Sequence, residues 1–141
     1  HYIIRTSWVI GDGNNFVRTM ATLAERGINP KVVNDQTGRL TFTTDIAAGI
    51  HHLLATRAPY GTYNLTSNGE PTTWADIAKQ VFTLTGHDPH RITSVTTDEY
   101  YATATTSIAA RPFRSVLKLD KLETTGFHTP DANARLTAYL R

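Results

Sequence analysis

Short runs of β-favouring residues alternate along this chain with stretches whose apolar side chains recur every three to four positions, which predicts an α/β order of elements. Tyr2–Arg5 reads as a strand, and the turn formers Gly11-Asp12-Gly13-Asn14 follow it. Phe16, Val17, Met20, Leu23 and Ala24 then fall at helical spacing, with Asn14 placed to cap the helix and Gly27 placed just past its end. Lys31–Val33 is a second strand, and Asn34-Asp35-Gln36-Thr37-Gly38 a loop. Thr43 or Thr44 caps a helix carrying Ile46, Ala47, Ile50, Leu53 and Leu54, which stops before Pro59. Gly61–Leu65 reads as a strand; Thr72 or Thr73 then caps a helix with Trp74, Ile77, Ala78, Val81 and Phe82 on one face and Gly86 at its exit. Arg91–Val95 is strand-like, and Thr97-Asp98-Glu99 opens a short helix with acids near its positive end. The pattern weakens past Ala104 until Arg111, which Pro112 holds out of the helical region. A short helical run covers Leu117–Leu122, and Thr129-Pro130-Asp131 reads as a cap, a proline at the first helical position and an acid in the first turn of a final helix through Leu140.

The expected architecture is an α/β domain with a small, incomplete sheet and about five helices, too few and too short in its strands for a full doubly wound sheet. The 141 residues suit one domain. Hydrophobic residues at 40%, charged residues at 18%, 9 Gly and 6 Pro match an ordinary soluble domain and exclude a disordered or fibrous chain. The net charge of +2 comes from scattered basic residues, which gives nucleic-acid binding no footing. With no cysteine there is neither disulfide nor thiol chemistry. No apolar run approaches the ~20 residues a membrane helix requires, so no membrane partner and a cytoplasmic location are expected. His1-Tyr2-Ile3-Ile4-Arg5-Thr6 reads at once as a buried strand, so the further expectation is that residues 1–10 belong to a sheet completed by residues outside this sequence.

Several clusters invite a chemical reading. Gly11-x-Gly13 lies between a strand and a helix, yet Phe16 stands where the third glycine of a dinucleotide fingerprint is needed, so a tight turn is expected. His51 and His52 diverge by ~100° on a helix and cannot share a metal, and His87-Asp88-Pro89-His90 lacks a further ligand at zinc-site spacing; no metal is expected. Trp74, inside an apolar stripe, is expected in the core. Trp8, at a strand-to-loop transition among small and polar residues, is expected to pack on something.

The segments Tyr2-Ile-Ile-Arg-Thr-Ser-Trp-Val-Ile-Gly11, Asn14-Asn-Phe-Val17 and Val33-Asn-Asp-Gln-Thr-Gly38 resemble the dTDP-4-dehydrorhamnose reductase family of extended short-chain dehydrogenases. The resemblance continues through Thr41, Asp45-Ile-Ala47, Gly61-Thr-Tyr-Asn64, Trp74-Ala-Asp-Ile-Ala78, Ala110-Arg-Pro112 and Ser115-Val-Leu117, and so covers essentially the whole chain. It implies the C-terminal, substrate-binding portion of a Rossmann-type enzyme. The family's glycine-rich nucleotide loop and Tyr-x-x-x-Lys pair are not in these residues, so no catalytic residue is expected here and hydride transfer belongs upstream. Leu40 replaces the family's usual proline, which is expected to loosen a turn, and Ile10 replaces its usual aromatic.

What the resemblance implies for the whole enzyme is NADPH-dependent reduction of the C4 ketone of dTDP-4-dehydro-L-rhamnose to dTDP-L-rhamnose. Trp8 is then the ring that stacks on the deoxysugar, Arg111 grips the pyrophosphate with Arg39 second, and Asn15 offers an amide to phosphate or sugar. Thr6 and Ser7 are implied at the cofactor, bonding the nicotinamide carboxamide or the sugar. The implied partners are a dTDP-sugar, the N-terminal Rossmann half, and either a fused epimerase or a second copy of the protein. Two other readings stay open: a nucleotide-sugar epimerase or dehydratase of the same superfamily, and a non-catalytic regulatory binding subunit of the same fold.

Overall fold

The computed structural model describes residues 1–105 and 109–141. Eight short strands arise from the expected runs and from stretches too short to register in the sequence: β1 (Tyr2–Arg5), β2 (Val9–Ile10), β3 (Lys31–Val33), β4 (Thr37–Gly38), β5 (Thr41–Phe42), β6 (Gly61–Asn64), β7 (Thr72–Thr73) and β8 (Thr93–Val95). The helices are α1 (Phe16–Glu25), α2 (Thr43–Ala55), α3 (Trp74–Leu84), α4 (Thr97–Tyr101), α5 (Asp120–Glu123) and α6 (Ala132–Tyr139). The strands form two-stranded pairs: β1 with β6, β2 with β5 and β3 with β8 run parallel, whereas β4 and β7 are antiparallel. Parallel partners need long crossovers, so the sequence between each pair is helical or looped and folds back over the sheet.

The apolar faces pack into two clusters. One gathers Ile10, Val17, Met20, Leu40, Phe42, Val81 and Phe82 between α1, α3 and the β2–β5 pair, and the other gathers Leu53, Tyr63, Leu65 and Leu122 beneath β1–β6, α2 and α5. Both departures from the family pattern lie in the first cluster: Ile10 and Leu40 are each 1% exposed. Leu40 is therefore a core residue whose carbonyl accepts from Ser67 N, and not the loosened turn its sequence position suggested.

Helix boundaries follow capping chemistry, with instructive shifts. Asn15, one residue later than expected, caps α1 by accepting from Arg18 N. Neither Thr43 nor Thr44 caps α2; both are already inside the helix, whose first turn follows Phe42. Thr73 caps α3, and Thr96 with Glu99 forms a reciprocal capping box on α4. At α6 the cap is Asp131, accepting from Asn133 N and Ala134 N, so Pro130 precedes the helix instead of opening it. The strand expected from Arg91 starts at Thr93, because Pro89–Arg91 forms a single 3-10 turn.

Two long-range contacts hold the C-terminal helix down. Arg135 pairs with buried Asp45 through Nε (3.0 Å) and Nη2 (2.5 Å). The Tyr139 hydroxyl donates to the Gly11 carbonyl at 2.7 Å and receives bonds from Asn15 Nδ2 (2.9 Å) and Arg18 Nε (2.8 Å).

Candidate functional site

A cleft of about 630 Å³ is the place where polar groups and exposed rings converge. The segment leaving β1 contributes Thr6, Ser7 and Trp8, and α1 contributes Phe16, Thr19 and Met20. Lys31, Val32, Val33 and Gln36 come from β3 and the loop after it, Trp74 from the start of α3, and Tyr100 and Tyr101 from the end of α4. Arg111, Pro112 and Ser115 complete the lining. Its charged lining residues are Lys31 and Arg111, and with Glu99 close enough to Lys31 to feel its charge, Arg111 is the cation best placed to draw an anion.

Trp8 reaches the cleft by an unusual backbone route: its φ of +48° lies in the left-handed region that side chains other than glycine avoid. The turn drives its indole against Trp74, the two rings stacking with centroids 3.9 Å apart and planes 22° from parallel. The backbone of Gly38 covers the ring-fusion carbons so closely that a Cβ there would fall 2.7 Å from Cε2 and 3.0 Å from Cδ2. Ring-fusion carbons are reached only through a face, and at these separations Trp74 and Gly38 cannot share one, so both faces of Trp8 are occupied. Trp8 thus presents its rim to the cleft, and the open face expected for stacking on a sugar is already filled by Trp74. Phe16 backs this pair, its ring 4.6 Å from that of Trp74.

Ser7 carries a buried hydroxyl with no hydrogen-bond partner among the described residues, while its carbonyl is taken by the Thr41 hydroxyl. A buried polar atom without a partner costs roughly 1–3 kcal/mol, so Ser7 Oγ is poised to gain from a ligand. Beside α4, Asp35 accepts from the Thr97 hydroxyl (2.7 Å) and the Thr97 amide (2.9 Å). The side-chain bond from Thr97 holds the Asp35 carboxyl below its ordinary value, against a smaller opposing effect of burial. The Thr96 amide does the same to Glu99, helped by the Thr96 hydroxyl and, more weakly, by the charge of Lys31.

Of the residues expected in a site, Thr6, Ser7, Trp8 and Arg111 meet in this cleft, and Arg111 is exposed there. Asn15 and Arg39 are not among its lining. Asn15 is committed to capping α1 and to the Gly11 carbonyl and the Tyr139 hydroxyl. Arg39 donates Nε to the Gly69 carbonyl at 2.7 Å and Nη1 towards that of Leu117, a bridge between loops. Trp74, expected in the core, is half-buried against it and at the same time lines the cleft from the first position of α3. Tyr100 and Tyr101 carried a legible signal, two aromatics on a short polar helix with no apolar period to bury them. His51 is exposed and His52 bonds the Thr125 carbonyl.

An α/β lobe of paired parallel strands, with an aromatic, cationic cleft, has the architecture of the substrate-binding portion of an extended short-chain dehydrogenase. The chain belongs to the RmlD substrate binding domain family, whose model matches residues 1–141. It is 38% identical over 130 residues to the dTDP-4-dehydrorhamnose reductase of Streptomyces griseus, covering 89% of this chain and 41% of that protein. It superposes with a TM-score of 0.86 on the crystal structure of a dTDP-4-dehydrorhamnose reductase from Clostridium acetobutylicum at 38% identity, over 99% of this chain and 47% of the other. The corresponding enzyme from Bacillus anthracis, solved in complex with NADP, gives 0.84 at 31% identity, over 99% and 47%. The chain therefore spans less than half the length of these relatives. Among the described residues, no helix is long and apolar enough to cross a membrane.

Proposed function

We propose that this chain forms the substrate wall of an NADPH-dependent dTDP-4-dehydrorhamnose reductase, which reduces the C4 ketone of dTDP-4-dehydro-L-rhamnose to dTDP-L-rhamnose. The observation that carries the reading is the convergence of Trp8, Ser7, Lys31 and Arg111 on one cleft, in a chain of this family. A pyrophosphate in that cleft meets the Arg111 guanidinium, whose planar fork matches two phosphate oxygens, and the ammonium of Lys31 adds to the field. The rim of Trp8, fixed by Trp74 and Gly38, limits where the sugar ring can lie.

For the cofactor, the orphaned Ser7 hydroxyl fits a carboxamide such as that of nicotinamide, with Thr6 beside it. NADPH, when bound, supplies the hydride. The loop for its phosphates and the proton donor for the developing alkoxide are groups that residues 1–141 do not carry: Phe16 stands in place of the third fingerprint glycine, and no Tyr here is followed four places on by Lys. Those groups, and the strands that extend β1 into a Rossmann sheet, are assigned to the remainder of the full-length protein.

The reading is tested in the natural full-length protein by calorimetric titration with dTDP. Arg111→Ala should weaken binding roughly tenfold or more, the worth of a charge-assisted hydrogen bond. An unchanged affinity removes Arg111 from the site, and absence of dTDP binding by the unaltered protein defeats the reading as a whole.

A further inference from the structure

We infer that Gln36 is a polarity-fixed acceptor that reads the imide N–H of a uracil-type base, and so makes the cleft select thymidine or uridine nucleotides over cytidine nucleotides. This rests on the cleft being a nucleotide-sugar site and adds what selects the base.

Gln36 lines the cleft yet is only 8% exposed, so its amide has little freedom to exchange partners with water. Its Nε2 lies 3.0 Å from Thr97 Oγ1. Which end of an amide faces a hydroxyl is ordinarily open, but here the next bond decides it. The single hydroxyl hydrogen of Thr97 points to Asp35 Oδ1 at 2.7 Å, and an ionised carboxylate can only accept. The Thr97 oxygen is therefore left to receive, and only the NH2 end of Gln36 can serve it. Gln36 Oε1 is thereby turned away from Thr97, and among the described residues none donates to it. The lowered Asp35 pKa keeps the relay in this sense at neutral pH.

A relay that fixes polarity discriminates only against a ligand group that has polarity itself. A sugar hydroxyl both donates and accepts, and either end of the amide would suit it. The N3 position of a pyrimidine is different, because thymine and uracil carry an N–H there and cytosine carries a lone pair. Facing Gln36 Oε1, the first forms a hydrogen bond and the second sets two acceptors against each other. The surroundings suit a flat heterocycle: Tyr100 and Tyr101, at the end of α4, set their rings edge to face and both line the same cleft.

The experiment measures the affinities of dTDP and dCDP for the natural full-length protein by calorimetry. The unaltered protein should prefer dTDP by roughly 10- to 100-fold, the consequence of one unmet acceptor in a buried site. Gln36→Leu, nearly isosteric and checked for an unchanged melting temperature, should bring the two affinities within about threefold. Thr97→Val should shrink the preference in the same direction by freeing the amide to turn, and Thr97→Ser, which keeps the hydroxyl, should restore it. A loss of fold would lower both affinities together and leave their ratio standing, so the ratio separates base reading from support. Equal binding of both nucleotides by the unaltered protein, or a ratio preserved in Gln36→Leu, overturns this inference while the cleft assignment stands. Failure to bind either nucleotide overturns both.

Discussion

Replacing Gly38 by Ala probes the packing that shapes the cleft. The backbone at Gly38 needs no left-handed φ, so the added methyl acts through space alone. It would lie 2.7 Å from Cε2, 2.8 Å from Cζ2 and 3.0 Å from Cδ2 of Trp8. Carbon atoms in contact sit about 3.5–4.0 Å apart, so roughly 0.8 Å must be recovered. Trp8 cannot retreat, because Trp74 is stacked at 3.9 Å on its other face, and Gly38 is registered opposite Thr72 in the β4–β7 pair. Overpacking of this kind costs about 1–3 kcal/mol. At roughly 3–4 °C per kcal/mol for a domain of this size, the melting temperature should fall by roughly 3–12 °C. Trp8 and Trp74 are stacked on each other, so the exciton couplet that this indole pair gives in circular dichroism should diminish in Gly38→Ala. Gly27→Ala is the control: its φ of +73° strains any side chain but nothing lies within 4 Å, so stability should drop by about 1 kcal/mol with the couplet intact. If Gly38→Ala melts within ~1 °C of the parent and keeps its couplet, the two-sided clamp on Trp8 is not there.

Other consequences can be checked directly. Arg135→Met leaves Asp45, 5% exposed, without its cation and should cost about 2–3 kcal/mol in urea unfolding; a loss under ~0.5 kcal/mol would show that solvent reaches the carboxylate. Asp35 and Glu99 have folded-state pKa values below their ordinary ones, so they stabilise the protein above the usual carboxylate range and that contribution is lost as the pH falls through and below about 4. The drop in melting temperature between neutral and acid pH should accordingly be shallower in an Asp35→Asn, Glu99→Gln double variant, and an equally steep drop would refute the assignment.

What the sequence disclosed followed from the range of the forces involved. Helical spacing exposed α1, α2 and α3 because one apolar face serves one core, and caps such as Thr73 and Asp131 act within a single turn. The two-residue strands β2, β4, β5 and β7 stayed invisible, since alternation needs more positions than they possess. Family motifs pointed to Trp8 and Arg111, which share the cleft lining, whereas the apolar period that puts Trp74 against the core says nothing of the part of its ring that lines the cleft. Asn15 and Arg39 had the right chemistry for a ligand but spend it on backbone carbonyls brought close only by folding. The role of Gln36 depends on Thr97, 61 residues away, and no local pattern encodes that bond.

The Tyr139 hydroxyl bridges 128 positions to reach Gly11, and the same oxygen steadies the Asn15 cap of α1. During synthesis that helix, which carries Phe16, Thr19 and Met20 into the cleft, has its local Asn15 cap from the start but gains this second hold only once Tyr139 has cleared the ribosome. A stalled or clipped nascent chain lacking α6 would hold most of its hydrophobic core yet miss the tie that fastens α1 beside the cleft to the far end of the sequence, the kind of near-native species that proteases and chaperones sort by touch.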